Sequence, residues 1–182
     1  MLNNLKMKSL YFFLTSLLIT SVSCFQSSVD VKPSKDFDYH SAIRNDGTAF
    51  YAFEHSKGQV HYMLDYGDNK GVWTAFGPKM TNHSEVGLLF DVIERAGAAS
   101  FYLLHPKTGQ LFYTVDGSNG SGTWQSYGNL ISSKGNASLE FDAEGRFEGN
   151  SFYALDTKSG QMYYMNDFGP QAGEWLSYGN EL

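Results

Sequence analysis

Three residue types recur in this chain at a spacing of 51 and could do binding chemistry. They are Trp73, Trp124 and Trp175; Tyr62, Tyr113 and Tyr164; and Arg44, Arg95 and Arg146. An indole or phenol ring offers flat apolar area to the C–H face of a sugar ring, and a tyrosine hydroxyl adds a hydrogen-bond handle. A guanidinium is a bidentate donor to sugar hydroxyls or to a carboxylate. A residue present three times belongs either to the scaffold or to a site made in several copies. The same rings could instead fill the space between units. The arginines could likewise pair with Asp65, Asp116 and Asp167, which share the period. Gln59, Gln110 and Gln161 each follow a glycine, and are expected to serve turn geometry or strand pairing.

Other chemistries find little support. The histidines share no periodic position: His61 aligns with Phe112 and Tyr163, and His55 with Pro106 and Thr157. There is no His-x-x-x-His pair and no Cys/His cluster, which argues against zinc. The run Asp116-Gly-Ser-Asn-Gly120 is too short for a calcium loop. No serine nucleophile elbow occurs. No catalytic residue, metal or cofactor is expected. A glycosidase stays a distant alternative, because the spacing of its two carboxylates is spatial rather than sequential. The net charge is −6, and removing the first 24 residues takes away Lys6 and Lys8 and no acid. With no basic patch to neutralise phosphates, nucleic acid is set aside as a partner. Asn-x-Ser sequons stand at Asn82, Asn119 and Asn136.

The period itself says what must position these residues. Phe50-Tyr51, Phe101-Tyr102 and Phe152-Tyr153 repeat, as do Gly58, Gly109 and Gly160, and Gly71, Gly122 and Gly173. A repeat of this size marks an array of one supersecondary unit. In the third copy, Ser151–Asp156 and Gln161–Met165 flank Thr-Lys-Ser-Gly, a hairpin whose glycine can take the positive φ that the turn needs. Glu174–Tyr178 follows as a short strand. Leu139–Ala143 alternates at period two, with equivalents at Leu88–Val92 and Phe37–Ser41. The expected fold is all-β, with three tandem four-stranded antiparallel units at about 34–84, 85–135 and 136–182. Apolar residues occupy both parities of Phe101–Leu104 and Leu111–Val115. That pattern calls for sheets covered on both faces, as in β-propeller-like blades. A β-trefoil is the competing closed form, and it accounts better for the number three.

The N-terminus reads as a leader. Lys6 and Lys8 precede an apolar run from Leu10 to Val22 and the small residues Ser21-Val22-Ser23, so residues 1–24 are expected to be a signal peptide. Cys24, the chain's one cysteine, follows directly. This placement resembles a bacterial lipoprotein signal, although Ser21 stands where that motif usually has leucine. The resemblance implies lipidation at Cys24 and export to the cell envelope or outer surface. Ordinary secretion with a free thiol is the alternative. Residues 25–33 read as a tether.

Trp124-Gln-Ser-Tyr-Gly-Asn, Gly145-Arg-Phe, Phe152-Tyr-Ala-Leu, Gly160-Gln-Met-Tyr-Tyr and Gly173-Glu-Trp together resemble a blade of bacterial propeller lectins. The layout is similar to that of the fucose-binding propeller lectins, and it covers all three units. It departs from them in two ways. Their Asp-Gly-Arg segment is only approximated, by Glu144-Gly145-Arg146, and known propellers have at least four blades. The resemblance implies a non-catalytic, carbohydrate-binding protein with several equivalent sites. An envelope scaffold or adhesion module that binds another protein is the alternative. Three blades do not readily close a ring, so a homodimer completing a six-bladed one is a further expectation.

Overall fold

The computed structural model describes residues 36–44, 46–80, 87–95, 98–115, 122–131 and 138–179, with Arg95 by its backbone alone. The expected signal peptide, Cys24, the tether, Asp116, the 116–120 run and the three sequon asparagines lie outside these residues. Twelve strands are described: β1 Phe37–Arg44, β2 Gly47–Glu54, β3 Gln59–Leu64, β4 Thr74–Phe76, β5 Leu89–Arg95, β6 Ala98–Leu104, β7 Leu111–Val115, β8 Gln125–Tyr127, β9 Leu139–Gly145, β10 Asn150–Asp156, β11 Met162–Asn166 and β12 Leu176–Tyr178. They form three antiparallel meanders in chain order: sheet 1 (β1–β4), sheet 2 (β5–β8) and sheet 3 (β9–β12). Each sheet falls within one period. A trefoil requires strands of different units to pair in a common barrel. Among the described strands, none pairs outside its own unit, so that alternative has no counterpart here.

The glycine series explains the hairpins. Gly58, Gly109 and Gly160 all have φ between 61° and 72°, a region that L side chains rarely adopt. In the second and third copies the glycine N–H closes the turn onto His105 O at 2.8 Å and Asp156 O at 2.7 Å. The glutamine that follows is structural, as expected. Gln59 Nε2 donates to Val60 O and Phe76 O, Gln110 Nε2 to Leu111 O and Tyr127 O, and Gln161 Nε2 to Met162 O and Tyr178 O. Each glutamine therefore pins a three-residue fourth strand to the third. The aspartate series also has a scaffold role. Thr48 N donates to Asp65 Oδ1 at 2.7 Å and Asn150 N to Asp167 Oδ1 at 2.6 Å, fixing the start of the second strand.

The sheets stack in series, with sheet 2 in the middle and β5 lying beside both β1 and β9. One core forms between sheets 1 and 2 from Ala49, Tyr51, Phe53 and Val60 on one side and Val92, Ala99, Phe101 and Leu103 on the other. A second forms between sheets 2 and 3 from Ile93, Tyr102, Leu104 and Leu111 against Phe152, Ala154 and Met165. Successive strand residues point to opposite faces, so Phe101 and Tyr102 serve different cores. This is why the sheet 2 strands are apolar at both parities. Met80 and Ile131, in the segments after the fourth strands, plug the two interfaces. Among the described residues the series is open, leaving one face of sheet 1 and one of sheet 3 without a neighbouring sheet.

Candidate functional site

Arg44, Arg146 and the three tyrosines of the series lie on the forward face of their sheets, the face turned away from the preceding sheet in the series. Their surroundings differ from copy to copy. In sheet 1, Arg44 Nε pairs with Glu94 of sheet 2, whose side chain is 7 % exposed. Tyr51 OH donates to Glu94 Oε2 at 3.3 Å. The expected partner in the aspartate series, Asp65, is instead bonded to Thr48 N. Glu94 aligns with Ile43 and Gly145, so no periodic search could have found it. In sheet 2, Asn150 Nδ2 of sheet 3 donates to Tyr102 OH at 3.0 Å.

In sheet 3 the same positions line an open cavity of about 400 Å³, formed by Arg146, Ser151, Tyr153, Tyr164, Asn166, Phe168 and Tyr178. Arg146 is exposed. Its Nη2 donates to Tyr153 OH and lies 3.4 Å from Glu144 Oε2, while the guanidinium carbon stands 5.9 Å from the Tyr153 ring centroid. Tyr164 and Tyr178 meet edge to face, with centroids 5.8 Å apart at 84°. Four aromatic rings, three of them phenols, thus converge on one concavity with a guanidinium, an amide and a serine hydroxyl.

A second cavity of about 240 Å³ lies between sheets 2 and 3, lined by Ser100, Tyr102, Tyr113, Val115, Tyr127, Asn150, Phe152 and Asp167. Its sheet 2 wall is the first cavity moved back by one period: Ser100 for Ser151, Tyr102 for Tyr153, Tyr113 for Tyr164, Val115 for Asn166, and Tyr127 for Tyr178. The edge-to-face pair recurs as Tyr113–Tyr127 at 6.1 Å and 87°, and Tyr113 OH donates to Gln125 Oε1 at 2.8 Å. Burial, with the nearby Asp167 carboxylate, pushes the Tyr127 phenol above its ordinary range, keeping it a neutral hydroxyl. Between sheets 1 and 2 the same place is filled. Ala49 and Leu64 replace the polar residues, Tyr62 meets Phe76 edge to face at 6.3 Å, and the Phe101 ring lies 5.3 Å from Tyr51 and 5.0 Å from Phe76. One repeat position is thus packed once, part-open once and open once.

Of the residues singled out by type and spacing, Arg146 and Tyr164 share the open cavity, Tyr113 lines the second, and Tyr62 packs into a core. The side chain of Arg95 lies outside the described residues. The tryptophans are elsewhere. Trp175, 8 % exposed, wedges between sheets 2 and 3, its Nε1 donating to Gly109 O at 3.1 Å. Trp124 is half-buried against the first core and donates to Pro78 O at 3.2 Å. Trp73 has no preceding sheet and is 44 % exposed. Tyr153 and Tyr178 were missed as site residues. The Phe-Tyr series marked Tyr153, and Gly77, Gly128 and Gly179, which also recur at a spacing of 51, each follow an aromatic residue that in the third copy is Tyr178.

On the innermost strands, His40, Asp91 and Asp142 occupy one repeat position. His40 Nδ1 lies 2.8 Å from Asp91 Oδ1, and that hydrogen bond holds the imidazole above its ordinary pKa. Asp91 also accepts from Val92 N at 2.7 Å and Ala143 N at 2.5 Å, so it is fully engaged. Partial burial first, and the Asp91 carboxylate second, raise the pKa of Asp142. Among the described residues, no three His, Cys, Asp or Glu side chains group as a metal site. None of the described elements is a helix long and apolar enough to cross a membrane.

No protein-family model matches the chain, and no curated protein or solved structure is similar enough to register.

Proposed function

We propose that this is a non-catalytic carbohydrate-binding protein of propeller-like blades, exported and anchored to the cell envelope through a lipidated Cys24. The observation that carries the binding role is the open cavity of sheet 3, where Arg146, Tyr153, Tyr164 and Tyr178 converge with Ser151 and Asn166. The rings supply apolar area for the C–H face of a pyranose. The guanidinium, amide and hydroxyl supply donors and acceptors for its hydroxyls. The cavity is the size of a one- or two-sugar subsite, so single-site binding is weak. Its partial duplicate between sheets 2 and 3 gives a second point of attachment, and two linked weak sites gain by avidity. Trp73 is the one tryptophan with an exposed ring to offer. An enzymatic role has less support, because Asp91 is already committed to three hydrogen bonds, with His40, Val92 N and Ala143 N.

A glycan array followed by calorimetry tests this. Binding of at least one glycan class is expected, abolished by Arg146→Ala and weakened by Tyr164→Ala. No binding on the array, or binding unmoved by both substitutions, would defeat the lectin role. Radiolabelled fatty acid incorporated by the wild-type chain and lost in Cys24→Ala would support the anchor; no incorporation defeats it. The alternative of an envelope scaffold or adhesion module is favoured by a different observation, the two sheet faces left without a neighbour.

A further inference from the structure

The two uncovered faces are the two halves of an interface that the chain already makes twice. We infer that the forward face of sheet 3 docks on the back face of sheet 1 of a second copy, and reciprocally, so that two chains close one ring.

The argument rests on position. At both internal interfaces the forward residues Tyr51 and Tyr102 are buried, and so are the back-face residues Phe101 and Phe152 that they meet. At the ends the same positions, Tyr153 forward and Phe50 back, are only half-buried. Phe152 lies 4.9 Å from the ring of Tyr102 and 6.4 Å from that of Tyr127. Advanced by one period, Phe50 of a second copy meets Tyr153 and Tyr178. Trp175 donates its indole N–H to Gly109 O, and by the same shift Trp73 of the second copy reaches Gly160 O. Asp91 takes the free-edge amide of Ala143, and Asp142 is placed to take that of Ser41. Four of the exposed apolar side chains fit this scheme. Tyr39 at 56 %, Ile43 at 90 % and Trp73 at 44 % sit at one end of the series, and Tyr178 at 67 % at the other. Apolar exposure of this kind marks an interaction surface.

The joint is head-to-tail, and it closes with two copies when the two-fold runs along the ring axis. Closure also gives the open cavity of sheet 3 the far wall that the second cavity already has, from Thr48, Phe50 and Asp65 of the second copy in place of Asn150, Phe152 and Asp167. The assembly does not rest on the carbohydrate role, and it is measured without any glycan.

The test is the mass of the full-length chain in mild detergent, by analytical ultracentrifugation across a dilution series. A dimer that dissociates on dilution is expected. Ile43→Asp and Tyr39→Glu replace exposed side chains and leave the circular dichroism unchanged. Each is expected to weaken the dimer by at least about tenfold. A mixture of Ser41→Cys and Asp142→Cys chains, both in a Cys24→Ala background, is expected to form a disulfide dimer that neither forms alone. A monomer at high micromolar concentration, an open-ended ladder of larger species, or a dimer indifferent to both surface substitutions overturns the inference.

Discussion

Tyr102 and Tyr153 occupy one position in the repeat, and their fates differ because one has a sheet in front of it and the other does not. Tyr102 is buried, packed on Phe152 and bonded to Asn150. Tyr153 keeps part of its surface open and takes its hydrogen bond from Arg146 of its own sheet. The residue type is the same, the strand is the same, and only the serial place of the sheet has changed. A repeat in an open array is thus a core element in the interior and a candidate binding surface at the end. The chemistry available at the end is what the interior uses for packing.

The contrast can be broken at three depths by paired substitutions. The deepest pair is Trp175→Ala against Trp73→Ala. Trp175 fills the second core and uses its indole N–H, so its loss is expected to cost about 3–5 kcal/mol, read as a shifted denaturant midpoint. Trp73→Ala, at a concentration low enough to keep copies apart, is expected to cost under about 1 kcal/mol. Equal costs would mean that the first sheet is not the end of the series.

Arg44→Ala against Arg146→Ala comes next. Removing Arg44 leaves Glu94, 7 % exposed, without its cation between two sheets. Breaking a buried pair from one side costs about 3 kcal/mol or more. Arg146 is exposed, and its pairing with Glu144 is a surface contact. Arg146→Ala is expected to change stability by no more than about 0.5 kcal/mol while abolishing glycan binding. A large stability loss from Arg146→Ala would make it scaffold rather than site. Tyr102→Phe against Tyr153→Phe is the smaller version: about 1 kcal/mol for the hydroxyl that accepts from Asn150, and close to nothing for the open one.

These pairs also show what the sequence could carry. The 51-residue period located the strand ends to within three residues. Leu139–Ala143 was expected and Leu139–Gly145 is observed, because alternation, hairpin glycines and fourth-strand aromatics are local features that repeat. It also separated the glutamines, which bond the same carbonyls in every copy. Periodicity is blind to serial order. Trp73 and Trp175 are indistinguishable by type and spacing, yet one is exposed and the other wedged between sheets. Glu94 was invisible because it occurs in one copy only, where it answers Arg44. Two of the expected site residues, Arg146 and Tyr164, do share a cavity. The rings that complete it, Tyr153 and Tyr178, become site residues only through the absence of a fourth sheet.

The column His40–Asp91–Asp142 carries the same contrast into pH dependence. His40, raised by its hydrogen bond to Asp91, stabilises the fold fully below its unfolded value of 6.5, and that contribution is lost as pH rises through the higher folded value. Asp142 behaves differently because no sheet beyond it supplies a donor. Partial burial is the largest influence on it, the carboxylates of Asp91 and then Glu144 add to it, and the imidazole of His40 opposes them. A carboxyl with a raised folded pKa binds its proton more tightly in the folded chain. The ionised form therefore destabilises the fold, increasingly as pH rises from the unfolded value of 3.8 through the folded one. Asp142→Asn removes that charge. The variant is expected to unfold at a slightly higher denaturant concentration than wild type at neutral pH. The gain should disappear below the unfolded value, where Asp142 is protonated in both states. The loss of stability between mildly acidic and alkaline pH from His40 should remain, somewhat reduced, because Asp142 contributes the least of the influences that raise the imidazole. A destabilised Asp142→Asn at neutral pH would show that Asp142 already has a donor in solution, and a ligand-free dimer, in which Ser41 N–H of a second copy fills that role, is the state in which this reversal is expected. Measuring the variant on both sides of the dissociation range therefore separates the isolated end of the series from the covered one.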